Sequence, residues 1–191
     1  MRQLIRTSWV AVALWGMITS SAVAEPPERV GPNGFLLWES PREVSEISFE
    51  AGDGTPLTLT TFGGKLILLN IWATWCLPCR IEMPSMERLY QEIGEDGFEI
   101  MAVSIDAELG GFDLAGRPGG DIQVFADSLG LTFPMLHDPS GGIERLYRTT
   151  GVPETFLIGR DGILYKKVAG GTEWDAPQHK ELIQRLLAAP K

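Results

Sequence analysis

Apolar and polar positions switch period several times along the chain. Lys65 to Trp72 (KLILLNIW) is almost continuously apolar, as expected of a strand buried on both faces. In the next stretch, Met83, Met86, Leu89, Tyr90 and Ile93 recur at helical spacing, which predicts an amphipathic helix. Pro84 lies inside that helix and should kink it. Gly97 ends the connection, and Phe98 to Ile105 (FEIMAVSI) predicts a second buried strand. Strand, helix and strand in this order imply a right-handed parallel crossover. Upstream, residues 46–50 and 57–62 alternate as two strands, and Gly52-Asp53-Gly54 between them supplies hairpin turn chemistry.

Residues 106–120 (DAELGGFDLAGRPGG) break the pattern and read as a long loop. A short helix is expected around Ile122, Phe125 and Leu129, and a short strand over 133–136. Asp138-Pro139 has the form of an N-cap followed by proline at the first helical position, with Ile143, Leu146 and Tyr147 as the helix's apolar face. Strands over 155–158 and 163–168 flank Arg160-Asp161-Gly162 and predict an antiparallel hairpin. A last helix follows Asp175.

Before the first strand, the chain reads as two attachments. Residues 1–24 carry Arg2 and Arg6, an apolar run from Trp9 to Ile18 and an Ala22-Val23-Ala24 end, the order of a secretory signal peptide. The alternative is an uncleaved anchor holding residues 7–24 in a membrane, although the apolar run is short for a span. Either way the domain is exported, to a periplasmic or otherwise extracytoplasmic space. Residues 25–43 form a linker or entry arm whose Phe35-Leu36-Leu37-Trp38 patch is expected to dock onto the domain, with a partner surface as the alternative, and residues 44–191 form the domain. The formal net charge of −9 over 191 residues argues against a nucleic-acid surface, which needs clustered Lys and Arg.

Cys76 and Cys79 are the only cysteines, which excludes a multi-disulfide scaffold and a four-cysteine zinc site. They stand one helical turn apart, between a buried strand and a helix, so the pair can open and close with little backbone movement. Cys76 at the helix start gains from unpaired N–H groups and the helix dipole, which favour a thiolate. Cys79, one turn in, is placed to resolve a mixed disulfide. A static disulfide closing so short a loop adds little stability. A zinc site would need His137 and His179, which lack zinc-knuckle spacing. A peroxidatic pattern would put proline and threonine where Leu69 and Ala73 stand. A lone C-x-x-C in a βαβ context therefore reads as a thiol–disulfide exchange centre.

Residues 64–84 (GKLILLNIWATWCLPCRIEMP) and 151–162 (GVPETFLIGRDG) together resemble the thioredoxin-fold thiol–disulfide oxidoreductases of the TlpA/ResA/DsbE (CcmG) type. The resemblance covers about residues 45–188. It implies an α/β thioredoxin-like fold: a central mixed β-sheet flanked by helices, with an N-terminal β-hairpin and an insertion in the thioredoxin core. By the same resemblance Cys76 is the exposed nucleophile, Cys79 the resolving thiol, and Pro153 a cis-proline facing them. The cis bond would expose the backbone of Val152 to an extended substrate. Glu82 matches an acid that moves protons to and from the thiols, and Trp75 packs beside the site. Glu154 fits the P-E-T-F pattern without an assigned role.

The resemblance further implies a reductase of disulfide-containing client proteins, supplied by an upstream membrane thiol reductant and often serving cytochrome c maturation. The expectation is a monomer with no cofactor beyond the Cys76–Cys79 pair and no metal. Electron direction stays open, with oxidase and isomerase as alternatives, as does a non-enzymatic scaffold holding a permanent disulfide. The glycine-rich stretch after Asp106 departs from a plain thioredoxin. It reads as a tolerated surface insertion, with a partner-selecting loop near the site as the alternative.

Overall fold

The computed structural model describes residues 29–30, 36–39, 48–51, 56–58, 62–94, 97–161 and 163–189. Residues 1–24, expected to direct export, Phe35 and the expected turn at 52–54 lie outside them. Among the described residues, nine strands form one sheet: β1 (Arg29–Val30), β2 (Leu36–Glu39), β3 (Ser48–Ala51), β4 (Pro56–Thr58), β5 (Leu66–Trp72), β6 (Phe98–Ser104), β7 (Met135–His137), β8 (Glu154–Ile158) and β9 (Ile163–Ala169). The helices among the described residues are α1 (Leu77–Ile93), α2 (Ile122–Leu129), α3 (Gly142–Tyr147) and α4 (Pro177–Ala188). The strand order is β1-β2-β9-β8-β5-β6-β7-β3-β4. Strands β5, β6 and β7 run parallel, whereas β8 and β9 add antiparallel. The sheet is therefore mixed, and the α/β fold expected from the sequence is the one formed.

Every residue of β5 and β6 is buried, because both faces of the sheet are covered. Alternation along β5 sorts its side chains into two cores. Leu66, Leu68 and Trp72 pack with Met83, Met86 and Leu89 of α1 and with Leu182 and Ile183 of α4. Ile67, Leu69 and Ile71 pack with Ile143 and Tyr147 of α3 and with Phe156 of β8. Asn70 breaks the first set. It sits on the α1 side of the strand with no exposure at all.

The predicted hairpin forms as β3–β4, with Phe49 opposite Leu57, and β3 joins the sheet edge at β7. At the opposite edge β2 pairs with β9, Trp38 opposite Leu164. Two stretches of the entry arm thus add strands to the sheet. Helix α1 runs through Pro84 to Ile93 without interruption.

The reading of Asp138-Pro139 needs correction. Helix α3 starts later, at Gly142, behind Gly141 with a φ of 66°. Asp138 is buried and still accepts a hydrogen bond from the Ile143 amide at 2.7 Å, but across a turn rather than as the residue next to a helical proline. The expected strand over 133–136 begins instead at Met135. Among the described residues, no helix is long and apolar enough to cross a membrane.

Candidate active site

Strand β5 ends at Trp72, and the chain turns once through Ala73-Thr74-Trp75 before α1 begins. Cys76 is the N-cap of α1, in extended backbone at φ −86° and ψ 104°. Its Sγ accepts from the Cys79 amide at 3.2 Å, one of the donors that a helix start leaves without a carbonyl partner. Pro78 fits this first turn because its missing N–H is not needed there. The two Cα atoms are 5.3 Å apart and the sulfurs are joined as a disulfide. Cys79 is wholly buried. Cys76, expected to be exposed, is only 4% exposed in this oxidised state. Access therefore favours Cys76, but narrowly.

Glu82 lies one turn beyond Cys79 on α1 and is 2% exposed. Its Oε1 accepts from Asn70 Nδ2 at 2.8 Å, and its Oε2 accepts from the Thr172 amide at 3.1 Å. Burial pushes its pKa up from an ordinary 4.5 to about 7, against the lowering effect of the Thr172 amide, Asn70 and Trp174. Asn70 also donates to Thr155 Oγ1 at 2.8 Å. A polar line thus crosses the core from α1 through β5 to β8, two residues past Pro153. Asn70 was legible as the one polar residue inside an apolar strand run, a signal the sequence reading passed over.

The Val152–Pro153 bond is cis. Pro153 is buried, and its carbonyl accepts from the Gly170 amide at 2.8 Å. Among the described residues, the backbone of Val152 makes no hydrogen bond. Glu154, 2% exposed, gathers the approach to this bond: its Oε1 accepts from the Thr150 amide at 3.1 Å and the Thr150 hydroxyl at 2.9 Å. Lys167 pairs with its other oxygen at 2.8 Å.

Trp75 is half-buried, and the Arg117 guanidinium lies 3.7 Å from its ring centroid. Arg117 belongs to the glycine-rich stretch, so that stretch is not a remote surface insertion: it reaches the residue next to Cys76. Asp106 anchors both ends of the contact. Its buried carboxylate accepts from the Thr74 amide and hydroxyl at 2.8 and 2.6 Å, from Ser104 Oγ at 2.6 Å and from the Gly120 amide at 3.3 Å. Gly120 approaches so closely that a Cβ there would stand 1.9 Å from Thr74 Oγ1. Asp106, Thr74 and Arg117 were not found from sequence, because their meeting depends on how the loop closes. Among the described residues, no group of three His, Cys, Asp or Glu is placed to hold a metal ion.

A buried C-x-x-C at the start of the first helix after a central strand, with a cis-proline loop on the neighbouring strand, defines a thioredoxin-like thiol–disulfide oxidoreductase. The chain belongs to the AhpC/TSA family, whose profile matches residues 42–167. The thiol-disulfide oxidoreductase ResA of Oceanobacillus iheyensis is 38% identical over 133 residues, which cover 70% of this chain and 64% of that protein. ResA of Bacillus cereus is 33% identical over 166 residues, covering 82% of this chain and 89% of that one. A solved structure from Chlorobium tepidum, of a proposed thiol:disulfide interchange protein DsbE, superposes with a TM-score of 0.63 at 28% identity. It covers 74% of this chain and 93% of that one.

Proposed function

We propose that this protein is an exported reductase of disulfides in client polypeptides, working as a monomer without metal or organic cofactor. The observation that carries the reading is Cys76 at the N-cap of α1, its sulfur accepting from the Cys79 amide at 3.2 Å. The same amide and the helix dipole would hold a Cys76 thiolate once the pair is reduced.

In the reduced state the Cys76 thiolate attacks one sulfur of the client disulfide, forming a mixed disulfide and releasing one client thiolate. Cys79, as thiolate, then attacks Cys76 Sγ. The second client sulfur leaves, and the Cys76–Cys79 disulfide remains. Two electrons pass to the client, whose two thiolates take up protons. Glu82, with a pKa raised to about 7 by burial, takes the proton that Cys79 gives up. The unpaired backbone of Val152, set by Pro153, pairs with the client strand, and Trp75 forms the adjacent side of the site.

An upstream membrane thiol reductant would restore the dithiol. Export through residues 1–24 to the periplasm fits this chemistry, because client disulfides persist outside the cytoplasm. Apocytochrome c or its maturation factors are one client class. A Cys79→Ser protein should accumulate clients as mixed disulfides on Cys76, and glutathione titration gives the direction of electron flow. A very low potential with no turnover of any disulfide would leave a scaffold with a permanent disulfide as the better reading.

A further inference from the structure

Six large apolar side chains stand exposed among the described residues: Leu77, Ile81, Leu109, Phe112, Leu114 and Val124. Leu77 and Ile81 lie on the first turns of α1, beside the disulfide. Leu109, Phe112 and Leu114 lie on the glycine-rich loop, and Val124 on the helix that follows it. Exposed apolar residues scattered singly need no explanation, but these fall on the start of α1, the glycine-rich loop and the helix after it. The loop is also braced. Asp113 accepts from the Arg117 amide at 2.8 Å and from Arg117 Nε at 2.5 Å, which holds the guanidinium against Trp75. Behind it opens a cleft of about 770 Å³, lined by Phe112, Leu114 and Arg117 on one side and by Glu144, Arg148 and Thr149 on the other. Thr149 of this lining stands three residues before Val152 in the chain.

We infer that loop 108–119 is a client-selecting wall of the active site, fixed to the redox turn by the Arg117–Trp75 stack, and that its occupant is an apolar segment flanking the client's cysteine. The inference rests on the reading of a polypeptide client. A client must bring its sulfur to Cys76, so chain next to that sulfur passes over the surface continuous with the site. On the loop whose Arg117 reaches Trp75, exposed Phe112 and Leu114 offer apolar area that only an apolar side chain would cover with gain. Arg117 is a positioning residue here: it acts by placing the wall.

The test uses three disulfide probes on the reduced protein: a peptide with Leu and Phe beside its cysteines, the same peptide with Ser and Gly there, and hydroxyethyl disulfide. Phe112 and Leu114 are exposed, so a Phe112→Ser/Leu114→Ser protein is expected to fold. It should lose about tenfold more kcat/KM on the apolar peptide than on the polar one, as expected for partial burial of two side chains. Arg117→Ala should raise KM for the apolar peptide selectively, and Arg117→Lys should not restore it, since lysine lacks the planar stack. Equal losses on both peptides overturn the inference. So does an Arg117→Ala shift in dithiol potential that accounts for the rate change. Wild-type protein that favours neither peptide overturns this inference alone. Wild-type protein that turns over none of the probes overturns the reductase reading as well.

Discussion

Glu82 meets Asn70 across the contact between α1 and β5, with 2.8 Å between Oε1 and the amide nitrogen, and neither residue reaches solvent appreciably. The pair has a consequence for stability. The Glu82 pKa is raised from 4.5 to about 7, chiefly by burial, so between those values the folded protein holds a proton that the unfolded chain has released. The contribution of Glu82 to stability is therefore greatest below about pH 4.5, falls as pH rises through the window, and levels off above about 7. Urea titrations of oxidised protein should show Glu82→Gln removing this slope, worth up to about 3 kcal/mol between the two ends. Asn70→Leu removes a bond that favours the carboxylate and should carry the window higher. An unaltered slope in Glu82→Gln would assign the pH dependence to other groups.

The close approach of Gly120 to Thr74 makes the loop junction intolerant of any side chain. Gly120→Ala should cost about 1–3 kcal/mol by overpacking and weaken the Thr74–Asp106 bonds. Urea unfolding measures the first effect. Faster alkylation of Cys76 in the reduced protein would report the second, because Thr74 lies in the turn that presents it.

Trp72 is fully buried under the redox turn, 4.6 Å from the Phe125 ring, in the same core cluster as both cysteines. Trp72→Ala should lose about 3–5 kcal/mol, and Trp72→Phe, which leaves a smaller void, distinctly less. Comparable losses for the two would mean that the surroundings collapse onto either gap.

Glu154 holds Thr150 through two hydrogen bonds and Lys167 through an ion pair, all around the entry to the cis-proline loop. Glu154→Ala leaves the Thr150 amide without its acceptor and should cost about 1–3 kcal/mol. Hydrogen exchange at the Thr150 amide should accelerate with it. If that amide exchanged no faster, the loop would be held by packing instead.

Much of the layout was readable before folding was considered. The unbroken apolar run of β5 and the helical spacing of Met83, Met86, Leu89 and Ile93 are local records of burial, and they located the crossover that carries the disulfide. Cys76 and Cys79 were readable for the same reason: their spacing matches one helical turn, so their meeting needs only local structure. The start of α3 was misplaced because Asp138 caps by reaching over a turn to Ile143, a geometry that its neighbours in sequence do not encode.

What the sequence by itself determined about this protein is everything that depends on near neighbours: the strand–helix–strand unit, the dithiol at its helix start, and the Gly-Val-Pro-Glu-Thr segment as its partner motif. Tertiary structure alone decided the rest. It brought Asn70, Glu82 and Thr155 into one buried polar line, which is what displaces the Glu82 pKa. It folded the glycine-rich loop back so that Asp106 binds Thr74 and Arg117 covers Trp75. Those contacts join residues distant along the chain, and their energies depend on burial and approach distance, which exist only once the sheet and α1 have packed.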